Sequence, residues 1–558
     1  MDDKVLPVFG ISTQLKGAMP LMSHLSNSLR AMKQNIVFCI SVSGALLLHL
    51  RFAWLPLERL EGFTLSWSKG PLIDDSYIFF KISKDLADWF SGALSSPHLT
   101  SGVQPLIALL YTPLFQFFWN NKELPTHCAL SLNALIGFLA HISLYCLLRK
   151  LVSRSIATFL VSVWIWSPYV MNQTINGMET SLALLFLLII LNRYWQMSNP
   201  FQPKSRSWAF LGILLGIGFW ARVDLGLLGV AIVIDQSRQS FAGGSPPFSL
   251  RSRNVMLCAL TALVVAAPWI LFTAITTGDI FPTSGKGVRQ ITSITFNYLD
   301  RNNSGFAYMM FVRFIKELFL YQPLAAVSQH ISWQYCISVA CLGGFVCALR
   351  DRRFRTLLRS VWLFQLLMLA AYLAFIGGFW HLNRYLYPVY TLMLFIHAAS
   401  LQYVESKAQK RKWVVPLLLF LCVIPYAVTY AIQYQSYLTK TKPSRYYAAA
   451  QFARARIPAQ ARVGTFQSGA LSYWLDNPVI NLDGVINREA CAHLKEKTLG
   501  IYLEQMHIEY FVEEMYLFRI WDQYLEKQLS NNYSVVAVKP GRSWYQLGIF
   551  KSNRLLKQ

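Results

Sequence analysis

Gln104–Trp119, QPLIALLYTPLFQFFW, is as apolar as a helix that crosses a bilayer, and its reading decides the topology of everything after it. Eleven other apolar runs lie near 36–54, 127–148, 156–171, 180–196, 208–221, 223–236, 254–275, 332–349, 358–376, 385–403 and 412–433. These approach the length that crosses a hydrocarbon layer of roughly 30 Å, and the shorter ones need tilt or close neighbours. Counting 104–119 as a further span inverts every later loop. Without it, Arg30 and Lys33, the run Arg149 to Arg154, Lys204 and Arg206, Arg251 and Arg253, Arg350 to Arg355, and Lys407 to Lys412 all share one side. Cytoplasmic loops carry the excess of Lys and Arg, so that side is cytoplasmic. Residues 104–119 are therefore expected to form an interfacial or re-entrant helix whose ends protein covers; a true span is the alternative.

Composition points to the same class. Of 558 residues, 54% are hydrophobic and only 14% charged, against roughly one quarter charged in a soluble domain. The formal charge of +24 is spread in short runs between apolar segments, a topology signal that argues against nucleic acid as partner. Eight of the nine cysteines (Cys39, Cys128, Cys146, Cys258, Cys336, Cys341, Cys347 and Cys422) lie in or beside apolar segments, where a thiol packs as a small hydrophobe. Cys491 alone lies in the polar C-terminal stretch, and no C-x-x-C spacing suggests zinc.

Three regions follow. Residues 1–35 read as a cytoplasmic segment without a cleavable signal, so the run near 36–54 is expected to stay as a helix. Residues 36–435 read as an all-α membrane bundle of about eleven spans, with a first external loop at 55–125. Residues 436–558 read as an extracytoplasmic α/β domain, with strands expected at Ala461 to Phe466, Val479 to Leu482, Tyr510 to Val512, Val535 to Val538 and Tyr545 to Phe550. Segment 305–321 reads as an amphipathic helix on the membrane surface.

The polar residues of interest gather on the external side. Asp74 and Asp75 open an amphipathic stretch just after the first span. Burying a carboxylate without a partner costs several kcal/mol, and one kept basic there can take a proton from a hydroxyl. A helix N-cap explains one of the two as well. Thr100-Ser101-Gly102 forms a polar turn before 104–119, and Glu179 falls in the first turn of another helix, where the macrodipole favours an acid. Arg222 and Asp224 lie between two apolar runs, as an ion pair or a polar corner of a cavity. Gly278 to Lys286 is no Walker A, because Gly287 stands where Ser or Thr is required, but Lys286 can hold a phosphate as a point charge. Arg384, after Gly377, Gly378 and His381, is a natural fork for a phosphate or an interfacial anchor.

In order, Asp74-Asp75-Ser76-Tyr77-Ile78, Thr100-Ser101-Gly102, Gly177-Met178-Glu179-Thr180, Ala221-Arg222-Val223-Asp224, the Pro282 to Lys286 loop and Arg384-Tyr385-Leu386-Tyr387-Pro388 resemble the GT-C superfamily of polyprenyl-phosphate-sugar transferases. The likeness is to proteins similar to the mycobacterial terminal arabinofuranosyltransferase, and Gly464 to Asn487 resembles their external domain. Two pieces depart from the family: its Thr-Arg-Pro-Asp corner reads Ala221-Arg222-Val223-Asp224, and its Pro-Asn-Thr loop reads Pro282-Thr283-Ser284. The resemblance implies a catalytic acidic residue in the first external loop, a polyprenyl monophosphate sugar donor, and a glycan acceptor outside the cytoplasm.

The expected mechanism has Asp74 or Asp75 deprotonate the acceptor hydroxyl or stabilise positive charge at the anomeric carbon. Arg384, Lys286 and Arg222 hold the departing phosphate. Glu179, Asp224, His381, Thr100 and Ser101 are the expected substrate-binding residues. A divalent cation stays open, with no metal ligand set in the sequence. A transporter or flippase of lipid-linked sugars is the alternative, although it predicts polar groups at mid-membrane and a two-fold repeat.

Overall fold

The computed structural model describes residues 36–61, 71–92, 100–118, 121–197, 205–241, 248–302, 352–372, 382–407, 446–540 and 546–556, with positions 343, 344, 346, 349, 428, 431 and 435. The expected spans at 332–349 and 412–433 fall largely outside these residues, and 305–321, Gly377, Gly378 and His381 fall wholly outside.

The helices, numbered in chain order over the described residues, begin with α1 Ile36–Ala53, α2 Leu57–Leu60, α3 Asp74–Phe90, α4 Pro105–Phe117, α5 Glu123–Leu148, α6 Arg154–Ile165 and α7 Pro168–Thr174. Then come α8 Thr180–Met197, α9 Ser205–Ala221, a 3-10 turn Val223–Leu225, α10 Gly226–Phe241, α11 Phe248–Thr277, α12 Thr283–Asn302, α13 Arg352–Ala371, α14 Leu382–Tyr385 and α15 Tyr387–Lys407. Among the described residues, four helices are long and apolar enough to cross a membrane: α1, α5, α8 and Ser252–Thr277 of α11. Leu263, Val264, Leu271 and Ile275 of α11 are more than half exposed, as on a face meant for lipid.

The expected span at 156–171 is broken into α6 and α7 at Ser167, because Pro168 drives the residue before it out of helical conformation. The apolar stretch 104–119 forms α4, with Pro105 at its first position and Gln104 before it. Its 13 residues reach about 20 Å at the helical rise, short of the roughly 30 Å hydrocarbon layer.

The C-terminal region holds a five-stranded sheet in the order β2-β1-β3-β5-β4. Its strands are β1 Val463–Thr465, β2 Val479–Asn481, β3 Tyr510–Glu514, β4 Tyr533–Lys539 and β5 Leu547–Ser552. All five overlap the apolar runs read as strands. β1 is parallel to β2 and β3, whereas β5 is antiparallel to β3 and β4. Helices α16 Tyr446–Arg454, α17 Ser468–Trp474, α18 Arg488–Lys495, α19 Leu499–Gln505 and α20 Met515–Tyr524 surround it.

This domain is docked on the 55–125 segment by one continuous apolar cluster, which includes Leu72, Tyr77, Phe80 and Tyr111 on the segment side and Tyr473, Trp474, Val463 and Ile549 on the domain side. Each large side chain so buried contributes roughly 1.5–3 kcal/mol. Two loop carboxylates then satisfy helix N-termini across the junction. Glu61 accepts from the amides of Tyr446 (2.8 Å) and Tyr447 (3.0 Å) at the start of α16, and from the Tyr77 hydroxyl at 2.5 Å. Asp74 accepts from the amides of Gly469 and Ala470 at the start of α17, both at 2.9 Å. These are the orphan donors of helix ends, met here by side chains from nearly 400 residues away.

The junction leaves no room at Gly469, where an added Cβ would lie 2.0 Å from the Asp74 carbonyl oxygen. Gly469→Ala is expected to cost about 1–3 kcal/mol through overpacking, seen as a lower thermal midpoint and faster protease release of the C-terminal domain from the detergent-purified chain. An unchanged midpoint and digestion pattern would show that the junction is not closed as described.

Candidate active site

At the start of α3 the two adjacent aspartates diverge. The helix begins at Asp74, and the Ser76 hydroxyl accepts from the Ile73 amide at 3.1 Å, which holds the first turn. Both Asp74 oxygens are turned to α17, whereas Asp75 Oδ2 accepts from Arg384 Nη1 at 2.7 Å. Arg384 also donates to the Tyr385 hydroxyl at 3.1 Å and lies 4.9 Å from that ring's centroid. Its Nη1 touches Met178 Sδ at 2.9 Å.

Tyr385 joins this pair to a second one. Arg222 Nη2 donates to the Tyr385 carbonyl (2.9 Å), to the Tyr372 hydroxyl (2.9 Å) and to Asp224 Oδ2 (2.8 Å). The Tyr372 hydroxyl donates to the same Asp224 oxygen at 2.8 Å, and its ring stacks on Tyr385 with centroids 5.0 Å apart. Gln104, just before α4, accepts from the Val223 amide at 3.3 Å and ties this corner to the external loop. The corner expected from sequence is thus a buried ion pair beside a cavity wall.

Glu179 lies within electrostatic reach of Arg384, Arg222, Tyr111 and Tyr385 and is only 7% exposed. Its loop is set by Asn176 Oδ1, which accepts from the Met178 amide and the Thr180 hydroxyl, and by Asn133, which donates to the Met178 carbonyl. Among the described residues, Arg384 Nε, Arg222 Nη1 and Asp224 Oδ1 are buried without partners. Buried polar atoms left this way call for a ligand or water. Two guanidinium groups with unused donors, a buried carboxylate and Asp75 together form a polar site for an anion with a hydroxyl-bearing appendage.

Other expected site residues do different work. Thr100 donates to the Ile486 carbonyl at 2.9 Å, and Ser101 shares a 2.9 Å bond with the Thr283 hydroxyl. They fasten the 483–487 loop and the start of α12 to the first external loop. Lys286 pairs with Asp279 and is 62% exposed. Among the described residues, no group of three or more His, Cys, Asp or Glu is arranged to hold a metal ion.

Asp483 is the residue that reasoning from sequence left without a role. Burial and the charges of Asp75 and Asp74 push its carboxyl up to about 7, against hydrogen bonds from Val485 and Asn481. Its signal was the 481–487 run, noted only as part of a resemblance.

An apolar groove of about 260 Å³ runs between α9, α10 and α11, lined by Leu215, Phe219, Ile232, Val255, Ala262 and Ala266 among others. Gly226, also on its wall, lies two residues from Asp224.

Comparison with known proteins agrees with this architecture. Residues 105–272 match a family model described as dolichyl-phosphate-mannose-protein mannosyltransferase, and residues 427–549 match a domain of unknown function. No curated protein matches the sequence. Among solved structures, the oligosaccharyltransferase of Archaeoglobus fulgidus, in complex with Zn and sulfate, is similar at 13% identity and a TM-score of 0.56, over 91% of this chain and 72% of that one. ArnT from Cupriavidus metallidurans, bound to undecaprenyl phosphate, is similar at 13% identity and a TM-score of 0.54, over 93% of this chain and 98% of that one. The mycobacterial arabinofuranosyltransferase AftD aligns at a TM-score of 0.44, which carries no weight for the sugar. The fold is similar to those of the oligosaccharyltransferase and of ArnT over most of this chain.

The Arg222–Asp224 pair gives a direct test of the corner. Arg222→Ala should destabilise the protein by about 3–5 kcal/mol, because it leaves a buried charge unpaired. Adding Asp224→Ala should recover part of that loss in denaturant unfolding; a double variant as damaged as the sum of both singles would show that the two residues are not coupled.

Proposed function

We propose that the protein is a membrane glycosyltransferase that moves a sugar from a polyprenyl-phosphate donor to a glycan or glycoconjugate acceptor on the extracytoplasmic side, in a bacterial inner membrane. The observation that carries this reading is the Asp75–Arg384 pair beside Arg222 and Glu179, with guanidinium nitrogens still free to bind. The donor phosphate is held by Arg384 and Arg222, and its polyprenyl chain lies along the apolar groove that starts beside Asp224. Glu179 and Asp224 take the sugar hydroxyls. Lys286 contributes to the approach of the anion, after release from Asp279, and arabinofuranose is the first donor sugar to try.

Asp75 faces the anomeric carbon and stabilises the positive charge that grows there as the bond to phosphate breaks. Preorganised charges around such a centre supply a large share of the rate. Asp74 is a structural clamp, since both of its oxygens are committed to α17.

The test is sugar transfer by the purified chain from a panel of short-chain polyprenyl-phosphate sugars to glycan acceptors. Asp75→Asn should lower transfer by about 10²–10³-fold, the scale of one lost preorganised group, with the fold kept. Asp74→Asn should instead cost about 1–2 kcal/mol of stability, as a lost cap does, with transfer surviving in the folded fraction. Donor binding without transfer by the wild type on any acceptor would favour translocation of lipid-linked sugars over catalysis.

A further inference from the structure

The loop from Asp483 to Asn487 belongs to the C-terminal domain, yet it is packed between the 100–102 turn and α12. Thr100 holds the Ile486 carbonyl, and an added Cβ at Gly102 would lie 2.4 Å from the Val485 carbonyl oxygen. On the other side, a Cβ at Gly287 of α12 would lie 2.8 Å from the Gly484 carbonyl oxygen. The loop's own shape depends on Gly484, whose φ of +79° favours glycine, and on the Asp483 carboxylate, which accepts from the Val485 amide at 2.8 Å.

A short chain of bonds sets this loop against the aspartate pair. Asn481 donates to the Ser468 hydroxyl at 2.8 Å and accepts from the Gly484 amide at 3.2 Å. The residue after Ser468 is Gly469, whose amide bonds Asp74. Asp483 is thereby brought within electrostatic reach of both Asp74 and Asp75 and stays half-buried. The three carboxylates have separate surroundings: Asp74 is committed to backbone amides and Asp75 to a guanidinium, while Asp483 has the Val485 amide and the Asn481 side chain, both from its own domain. On the far side of Asp75, Arg384 Nε is buried without a partner among the described residues, a donor left for a ligand.

We infer that Asp483 is a catalytic residue supplied by the C-terminal domain, the carboxylate that binds the acceptor hydroxyl and takes its proton. The inference rests on the glycosyltransferase reading above. In the step, the acceptor oxygen forms a bond to the anomeric carbon and its proton passes to Asp483. The bond from that carbon to the phosphate oxygen breaks, and its electron pair leaves with the phosphate held by Arg384. An ion-paired Asp75 is a poor base beside a carboxyl that titrates near neutrality. The groups that face Asp483 are Asp74 and Asp75 of α3 and Cys491 of α18, with Lys286 and Lys495 reaching Cys491.

The test uses the full chain and a donor and acceptor pair that the wild type turns over. Asp483→Asn keeps an oxygen for the Val485 amide. It should lower kcat by about 10²–10⁴-fold, the range of general base catalysis, with the donor KM changed less than about twofold. The wild-type rate should fall as pH drops through about 7, because a carboxyl raised to that value is lost as a base below it. Asp483→Asn should remove that dependence. A kcat within about threefold of wild type, or a donor KM that rises in step with the loss, would overturn the assignment. Should this variant not fold, the wild-type profile decides, and a rate flat through neutral pH overturns it. Failure of the wild type to transfer sugar at all would instead sink the glycosyltransferase reading itself, and the assignment with it.

Discussion

Asp74 at the N-terminus of α17 is the contact on which the rest of the site depends. A carboxylate at the edge of a membrane has to find donors, and the first amides of a helix supply them together with the positive end of the helix dipole. By placing both oxygens on Gly469 and Ala470, Asp74 fixes the start of α3 against the C-terminal domain. The next residue is then aimed at Arg384, because consecutive positions on a helix face different directions by about 100°. Two adjacent acids with distinct partners avoid the repulsion that two free carboxylates would have. Glu61 repeats the device at α16, so the domain is held at two helix ends.

The arrangement places guanidinium donors where an anion needs them. Arg384 and Arg222 are both buried and both meet Tyr385, one at its hydroxyl and one at its carbonyl. Each has one carboxylate partner and at least one nitrogen without a partner among the described residues. A guanidinium whose charge is balanced but whose donors are not exhausted can be buried at moderate cost and still accept a phosphate. Greater exposure, as at Lys286, gives a weaker and more screened contact.

The class of fold was legible because it rests on local pattern: apolar runs, basic loops and alternating strands. The Asp74–Asp75 pair and the Arg222–Asp224 corner were legible too, since charges beside apolar runs stand out. Their division of labour was not. It depends on partners at Gly469, Ala470 and Arg384, which lie 309 to 396 residues away, and no periodicity carries that distance. Thr100 and Ser101 show the same limit, since a polar turn before a helix looks alike whether it binds a sugar or buttons down a loop. Asp483 was hidden for the opposite reason, as a single acid in a polar domain is unremarkable until the fold brings it to other acids.

The proposed base comes from the C-terminal domain and not from the apolar helices, and the geometry gives a reason for it. In the proposed reaction the donor comes from the bilayer and its phosphate meets Arg384 and Arg222, whereas the glycan acceptor comes from water. A carboxylate that serves the acceptor is best carried by the element that faces water, provided it is held rigidly against the membrane side. Thr100, Gly102 and Gly287 provide that rigidity by admitting the 483–487 loop only without side chains in the way. The docking that costs Asp74 its freedom is therefore what allows a second acid, from a different domain, to stand opposite Asp75.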